Sequence, residues 1–145
     1  MMAEKKEIKL TGQQAVRLFE SEKAKMGVVQ RKMESIQGII SELNNAILAL
    51  EEINKIKSEA PFLVPLGAGV YVEAKLENTK NAKHSLAGSI MIDEKVEEIV
   101  KKLNSQRKDA LQNMGTLQKE GQALSSNLNN LGMILNQMNA QQNAK

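Results

Sequence analysis

The chain is 145 residues long, with 2% aromatic residues, no Trp, no Cys and one His, and its 20 Lys and Arg exceed 17 Asp and Glu to leave a net charge of +3. One domain fits that length, but there is little material for a thick globular core, no thiol for a disulfide or a nucleophile, and no His cluster for a nitrogen-rich metal site. The positive excess is spread evenly, at 10 basic against 9 acidic residues in 1–60, 3 against 2 in 61–92 and 7 against 6 in 93–145, so no clustered basic footprint for nucleic acid exists.

The opening residues Met1-Met2-Ala3-Glu4-Lys5-Lys6-Glu7 are charged where a signal peptide is apolar, and no stretch approaches the roughly 18 apolar residues of a membrane span. The expectation is a soluble, cytoplasmic protein with neither a membrane nor a nucleic-acid partner.

From Met26 the apolar residues fall at Met26, Val29, Met33, Ile36, Ile40, Leu43, Ile47 and Leu50, alternating three and four steps. That alternation is a coiled-coil seam, narrower than the stripe of an ordinary core helix. Extended backwards, the phase meets Glu22, Phe19 and Ala15, so the seam is interrupted once and resumes weakly. Thr11 is the candidate N-cap. Pro61, which lacks an N–H and pushes Ala60 out of the α region, stops the helix near Ser58. A first coiled-coil helix over 9–58, at 1.5 Å per residue, makes an arm of roughly 70 Å.

Residues 61–92 do not read as helix. Leu63-Val64-Pro65-Leu66, the run Val70 to Leu76, and a third run from about Ala82 to Ile92 read as short strands, broken at Gly67-Ala68-Gly69, at 77–81 and at Gly88. Two β-hairpins follow. An isolated pair of hairpins has too small an apolar face to hold in water, and Pro65 confines its strand to an edge, which invites strand addition between chains. This region is therefore the expected oligomerisation element, carried by Leu63, Val64, Pro65, Leu66, Val70, Val72, Leu86, Ile90 and Ile92. The Gly67-Ala68-Gly69 stretch lacks the Lys-Ser/Thr of a phosphate-binding loop and reads as a hairpin turn needing positive φ.

Asp93 is the expected cap of a second helix over 93–141, with Glu94, Glu97 and Glu98 near its positive end. Its seam runs Val96, Val100, Leu103, Arg107, Ala110, Met114, Leu117, Gly121, Leu124, Leu128, Leu131, Leu135, Met138, apolar except for Arg107 and Gly121. If the helices pair antiparallel, facing positions keep a constant sum. A sum of 150 sets Leu50 on Val100, Met33 on Leu117 and Val29 on Gly121, and leaves Glu22 badly placed opposite Leu128. Val16, Leu18, Met133 and Ile134 fall off the seam near the outer end, and 121–144 carries no charged side chain. His84 has no Asp, Glu, Ser or Cys constellation beside it that sequence can place, so no catalytic residue, metal ligand or cofactor is expected and the chain does not read as an enzyme.

The helix, the Leu63-Val64-Pro65-Leu66-Gly67 turn followed by Gly69 to Leu76, the second hairpin and the last helix together resemble an archaeal prefoldin of the alpha type over nearly the whole chain. The specific part is Val64-Pro65-Leu66-Gly67 with the four-strand linker, because beta-type subunits of that family carry a single shorter hairpin. The resemblance implies a mostly α fold with a small β part: a long antiparallel coiled-coil hairpin with two β-hairpins at its turn, which assemble into inter-subunit β-barrels. It implies a hexamer of two alpha-type and four beta-type subunits. It further implies an ATP-independent chaperone, one that captures non-native polypeptides at the coiled-coil tips and delivers them to a group II chaperonin. Carried to the tips of this chain, client contact falls to Leu10, Val16, Leu18, Phe19, Leu131, Met133, Ile134 and Met138. The outer arm departs from the family in its richness in Asn and Gln, and the family's gamma-type, filament-forming members share much of the same layout, so the second reading is a structural coiled-coil protein that builds filaments or scaffolds through its β region.

Overall fold

The computed structural model describes residues 11–56 and 60–143. Helix α1 (Gly12–Lys55) is followed by strands β1 (Pro61–Gly67), β2 (Val70–Lys75), β3 (Asn81–Ala87) and β4 (Ile90–Lys95), and helix α2 (Val96–Asn143) ends the described chain. The fold is mostly α, two long helices with two antiparallel hairpins between them. Two compact units divide it, one of Met1–Gln37 with Asn113–Lys145 and the other of Gly38–Gln112.

In the first unit α1 opens on a reciprocal cap. The Thr11 hydroxyl accepts from the Gln14 amide at 3.3 Å while the Gln14 side chain accepts from the Thr11 amide at 3.2 Å, so two donors left over by the helix start are satisfied together. The buried residues are Ala15, Glu22 and Val29 from α1 and Met114, Leu124 and Leu131 from α2, all on the expected seam. Gly121 approaches Val29 closely: a Cβ built on it would lie 3.7 Å from Val29 Cγ1. That contact matches the antiparallel register with its sum of 150.

In the second unit Ile40, Leu43, Ile47, Val96 and Ile99 are buried. Arg107, the charged interruption of the α2 seam, is half-buried and donates to Asn44 at 2.9 Å and to Asn104 at 2.8 Å. The guanidinium thus leaves the apolar line and finds amide oxygens along the flank of the helix pair. Ile99 was not expected in the core. Its signal was Val96, Ile99, Val100 and Leu103 at spacings of three, four and seven, where the seam widens into a broader stripe.

The hairpins share one plan. β1 pairs with β2 from Pro61↔Lys75 to Gly67↔Val70 with an irregularity between Pro65 and Gly67. β3 pairs with β4 from Asn81↔Lys95 to Ala87↔Ile90 with the same irregularity between Ser85 and Ala87. The second hairpin repeats the first 20 residues later, with Leu66 answered by Leu86, Val70 by Ile90 and Val72 by Ile92. The first turn holds Ala68 at φ 51° and Gly69 at φ 78°, positive at both central residues as a tight type I′ hairpin requires, whereas the second has only Gly88 at φ 59°. Between the hairpins the Asn78 side chain accepts from the Lys80 and Asn81 amides at 2.9 and 3.1 Å, fixing the start of β3.

Two expected boundaries differ. Asp93 does not cap α2: it lies in β4 paired with Lys83, and Glu94 is paired with Ala82. The ladder runs on to Lys95, and the Val96 amide donates to the Lys80 carbonyl at 2.7 Å, so strand passes into helix without a capping side chain. Glu97 and Glu98 do sit in the first helical turn. Helix α1 ends at Lys55, short of the end expected near Ser58, a residue that itself lies outside the described ones.

Since the added methyl would meet Val29 at ordinary van der Waals distance, Gly121→Ala relieves the cost of a mid-helix glycine without a clash. Urea unfolding at fixed protein concentration is expected to show a gain of about 1 kcal/mol; a loss would mean that the helices need glycine at this level.

Candidate functional site

Two apolar surfaces stand out, one in each unit. On the hairpins Leu63 is 65% exposed, Leu66 63%, Ile90 63% and Leu86 59%, with Val70, Val72 and Pro65 also exposed and Val64 and Ile92 half-buried. Residues alternate across a strand, so Phe62, Val64 and Val72 share one face and Leu63, Pro65 and Tyr71 the other. Each sheet has two strands, which leaves both faces and both edges of each hairpin without cover from their own sheet. Tyr71, Met91 and Phe62 belong to this exposed set but were not singled out from sequence. The strand alternation that marked Val70 and Val72 favours one face, and Tyr71 and Met91 lie on the other.

The second surface is at the outer ends of the helices, in the first unit. Val16 and Leu18 are exposed, Met133 is 59% exposed, and Phe19, Ile134 and Met138 are half-buried. Leu131 is 6% exposed, a seam residue packed inside, and Leu10 lies outside the described residues. A cavity of about 330 Å³ lined by Leu18, Glu22, Asn127, Asn130 and Leu131 opens beside this group.

Glu22 is better placed than its phase suggested. The expectation of a charge opposed to Leu128 is corrected by its bonds: Glu22 accepts from Asn127 at 3.1 Å and from Lys25 at 3.2 Å, and only 7% of it is exposed. The uncharged Asn-rich face of α2 supplies the donor. Chiefly the Asn127 hydrogen bond, then that from Lys25, hold its carboxyl below the ordinary value of 4.5, against burial, which acts the other way.

Among the described residues, no three His, Cys, Asp or Glu side chains gather where they could hold a metal. No described helix is long and apolar enough to cross a membrane. Exposed apolar area is what the described side chains of both surfaces have in common.

A family model described as Prefoldin subunit matches residues 23–141. A prefoldin subunit alpha from Thermofilum pendens is 31% identical over 84 residues, 58% of this chain and 65% of its own length. One from Methanococcoides burtonii is 30% identical over 103 residues, 68% of this chain and 74% of that one. A third, from Methanococcus vannielii, is matched over 49% of its length at 26% identity, so the chain spans less than two thirds of the first of these relatives and about half of the third. A solved cryo-EM structure of filamentous PFD from Methanocaldococcus jannaschii superposes with a TM-score of 0.63 at 20% identity, covering 81% of this chain and 94% of that one. The family match begins at Lys23, after Val16, Leu18 and Phe19.

Because the folded-state carboxyl of Glu22 titrates below its unfolded value, its contribution to stability is present above about pH 4.5 and is lost as pH falls through the lowered value. Asn127→Ala is therefore expected to lower the thermal unfolding midpoint at pH 7 by more than it does at about pH 3. An equal loss at both would show that Asn127 acts through packing instead.

Proposed function

The chain belongs to the prefoldin family, and on that premise we propose that it is an alpha-type subunit of an ATP-independent chaperone, assembling through its hairpins and holding non-native polypeptides with the outer ends of its helices. The observation that carries the reading is the pair of exposed apolar surfaces, one on the hairpins and one near the helix ends, each in its own compact unit. The hairpin residues Leu63, Val64, Pro65, Leu66, Val70, Val72, Leu86, Ile90 and Ile92, joined by Phe62, Tyr71 and Met91, close against other prefoldin subunits into β-barrels. The complement is two alpha-type and four beta-type subunits. Closure removes the open edges and apolar faces that a lone hairpin leaves in water.

The client surface is Val16, Leu18 and Met133, with Phe19, Ile134 and Met138 able to add area. Leu131 supports this surface from within the seam. Scattered apolar contacts on several arms bind weakly one by one and strongly together, and flexible Met side chains adapt to varied partners, so no single client shape is demanded. A captured polypeptide passes to a group II chaperonin, and the setting is the cytoplasm. Likeness in fold to the filamentous PFD favours a second reading in which the hairpins join copies into an open-ended scaffold.

The triple change Val16→Ser, Leu18→Ser and Met133→Ser tests the client surface. In the assembled particle it is expected to require about tenfold more protein for equal suppression of aggregation of a chemically denatured client, since a loss of about 1.4 kcal/mol of apolar contact is tenfold in affinity. The particle mass stays unchanged. Undiminished suppression would place capture elsewhere.

A further inference from the structure

We propose that His84, Glu94 and Lys102 form a pH-dependent tie that fastens the second hairpin to α2 and closes when the imidazole is protonated. His84 on β3 pairs with Ile92, and Glu94 on β4 pairs with Ala82, so the two side chains stand on one face of the hairpin, diagonal neighbours across the strands. One carboxylate oxygen, Glu94 Oε1, accepts from Lys102 Nζ at 2.8 Å, which already links β4 to α2. The other, Oε2, is buried with no hydrogen-bond partner. Facing it at 3.9 Å is His84 Nδ1, also buried and also without a partner.

Buried polar atoms are ordinarily bonded, because leaving one unpaired forfeits its hydration with nothing in return. A neutral imidazole with its proton on Nε2 would turn an acceptor towards an acceptor, and no bond could form. Protonation converts Nδ1 into a donor, and a shift of about 1 Å brings it to the length of a charge-assisted bond. Lys102 does not block the site, since it holds the other oxygen. Lys83 and Asp93 pair with each other at 3.8 Å on the opposite face, so among the described residues the charged groups facing the imidazole are Glu94 and Lys102.

The closed tie needs a donor on Nδ1 while Nε2 keeps its own proton, which is the imidazolium form. Its contribution is present at the acid end of the histidine range and is lost as pH rises through that range, between about pH 5 and 8. His84 is the sole histidine of the chain, so no other imidazole contributes to that window.

The test is thermal unfolding of the full chain, in the assembly it forms and at fixed concentration, at about pH 5.5 and 7.5. Wild type, His84→Gln, Glu94→Gln and the double variant complete the cycle. His84→Gln is expected to lower the midpoint by about 2 to 4 °C more at the acid pH than at the neutral one, and that difference is expected to vanish in the Glu94→Gln background. An effect of His84→Gln equal at both pH values, or an acid-specific loss that persists without Glu94, overturns the proposal.

Discussion

A two-stranded β-hairpin cannot bury its own side chains. Both sheets here have two strands, and Leu63, Leu66, Tyr71, Leu86, Ile90 and Met91 each leave more than half of their surface in solvent. Their faces gain stability only when something else covers them, since apolar burial is the main favourable term and a lone hairpin has almost none. The helix pair has the same limitation in milder form: a seam of single residues, buried or half-buried in turn, replaces a core. Subunit assembly is the physical answer to the first of these shortages, and the long seams answer the second.

Within the seams, the polar interruptions are satisfied rather than tolerated. Arg107 turns to Asn44 and Asn104, and Glu22 turns to Asn127 and Lys25. A heptad seam of Leu, Ile and Met alone permits slips of seven residues that keep every apolar contact, and a polar residue that finds its partner only in one alignment removes that freedom. These two sites give the helix pair a register that the apolar pattern by itself leaves open.

Much of the fold was legible because its periods are simple. Every position of the two extended seams from Ala15 to Leu50 and from Val96 to Met138 is buried or half-buried, including Glu22 and Arg107. The hairpin turns at 68–69 and 88–89 fell where glycine marked them. Asp93 misled because a good capping residue was also a good partner for Lys83, and ladder pairing overrode the local preference. The bonds of Glu22 and of Glu94 were not legible, as each depends on a partner brought close by tertiary pairing. Leu131 shows the same boundary from the apolar side: its phase placed it in the seam, and a seam residue so deeply buried supports the outer surface rather than forming it.

In the proposed assembly the apolar hairpin faces are covered by other subunits while the helix ends stay open. Native mass measurement of the full chain, alone and co-expressed with a beta-type prefoldin subunit, tests it directly. The co-expressed sample is expected to hold a closed particle with two copies of this chain and four of its partner. A chain that remains a stable monomer in both samples, its hairpin faces still in water, would contradict it.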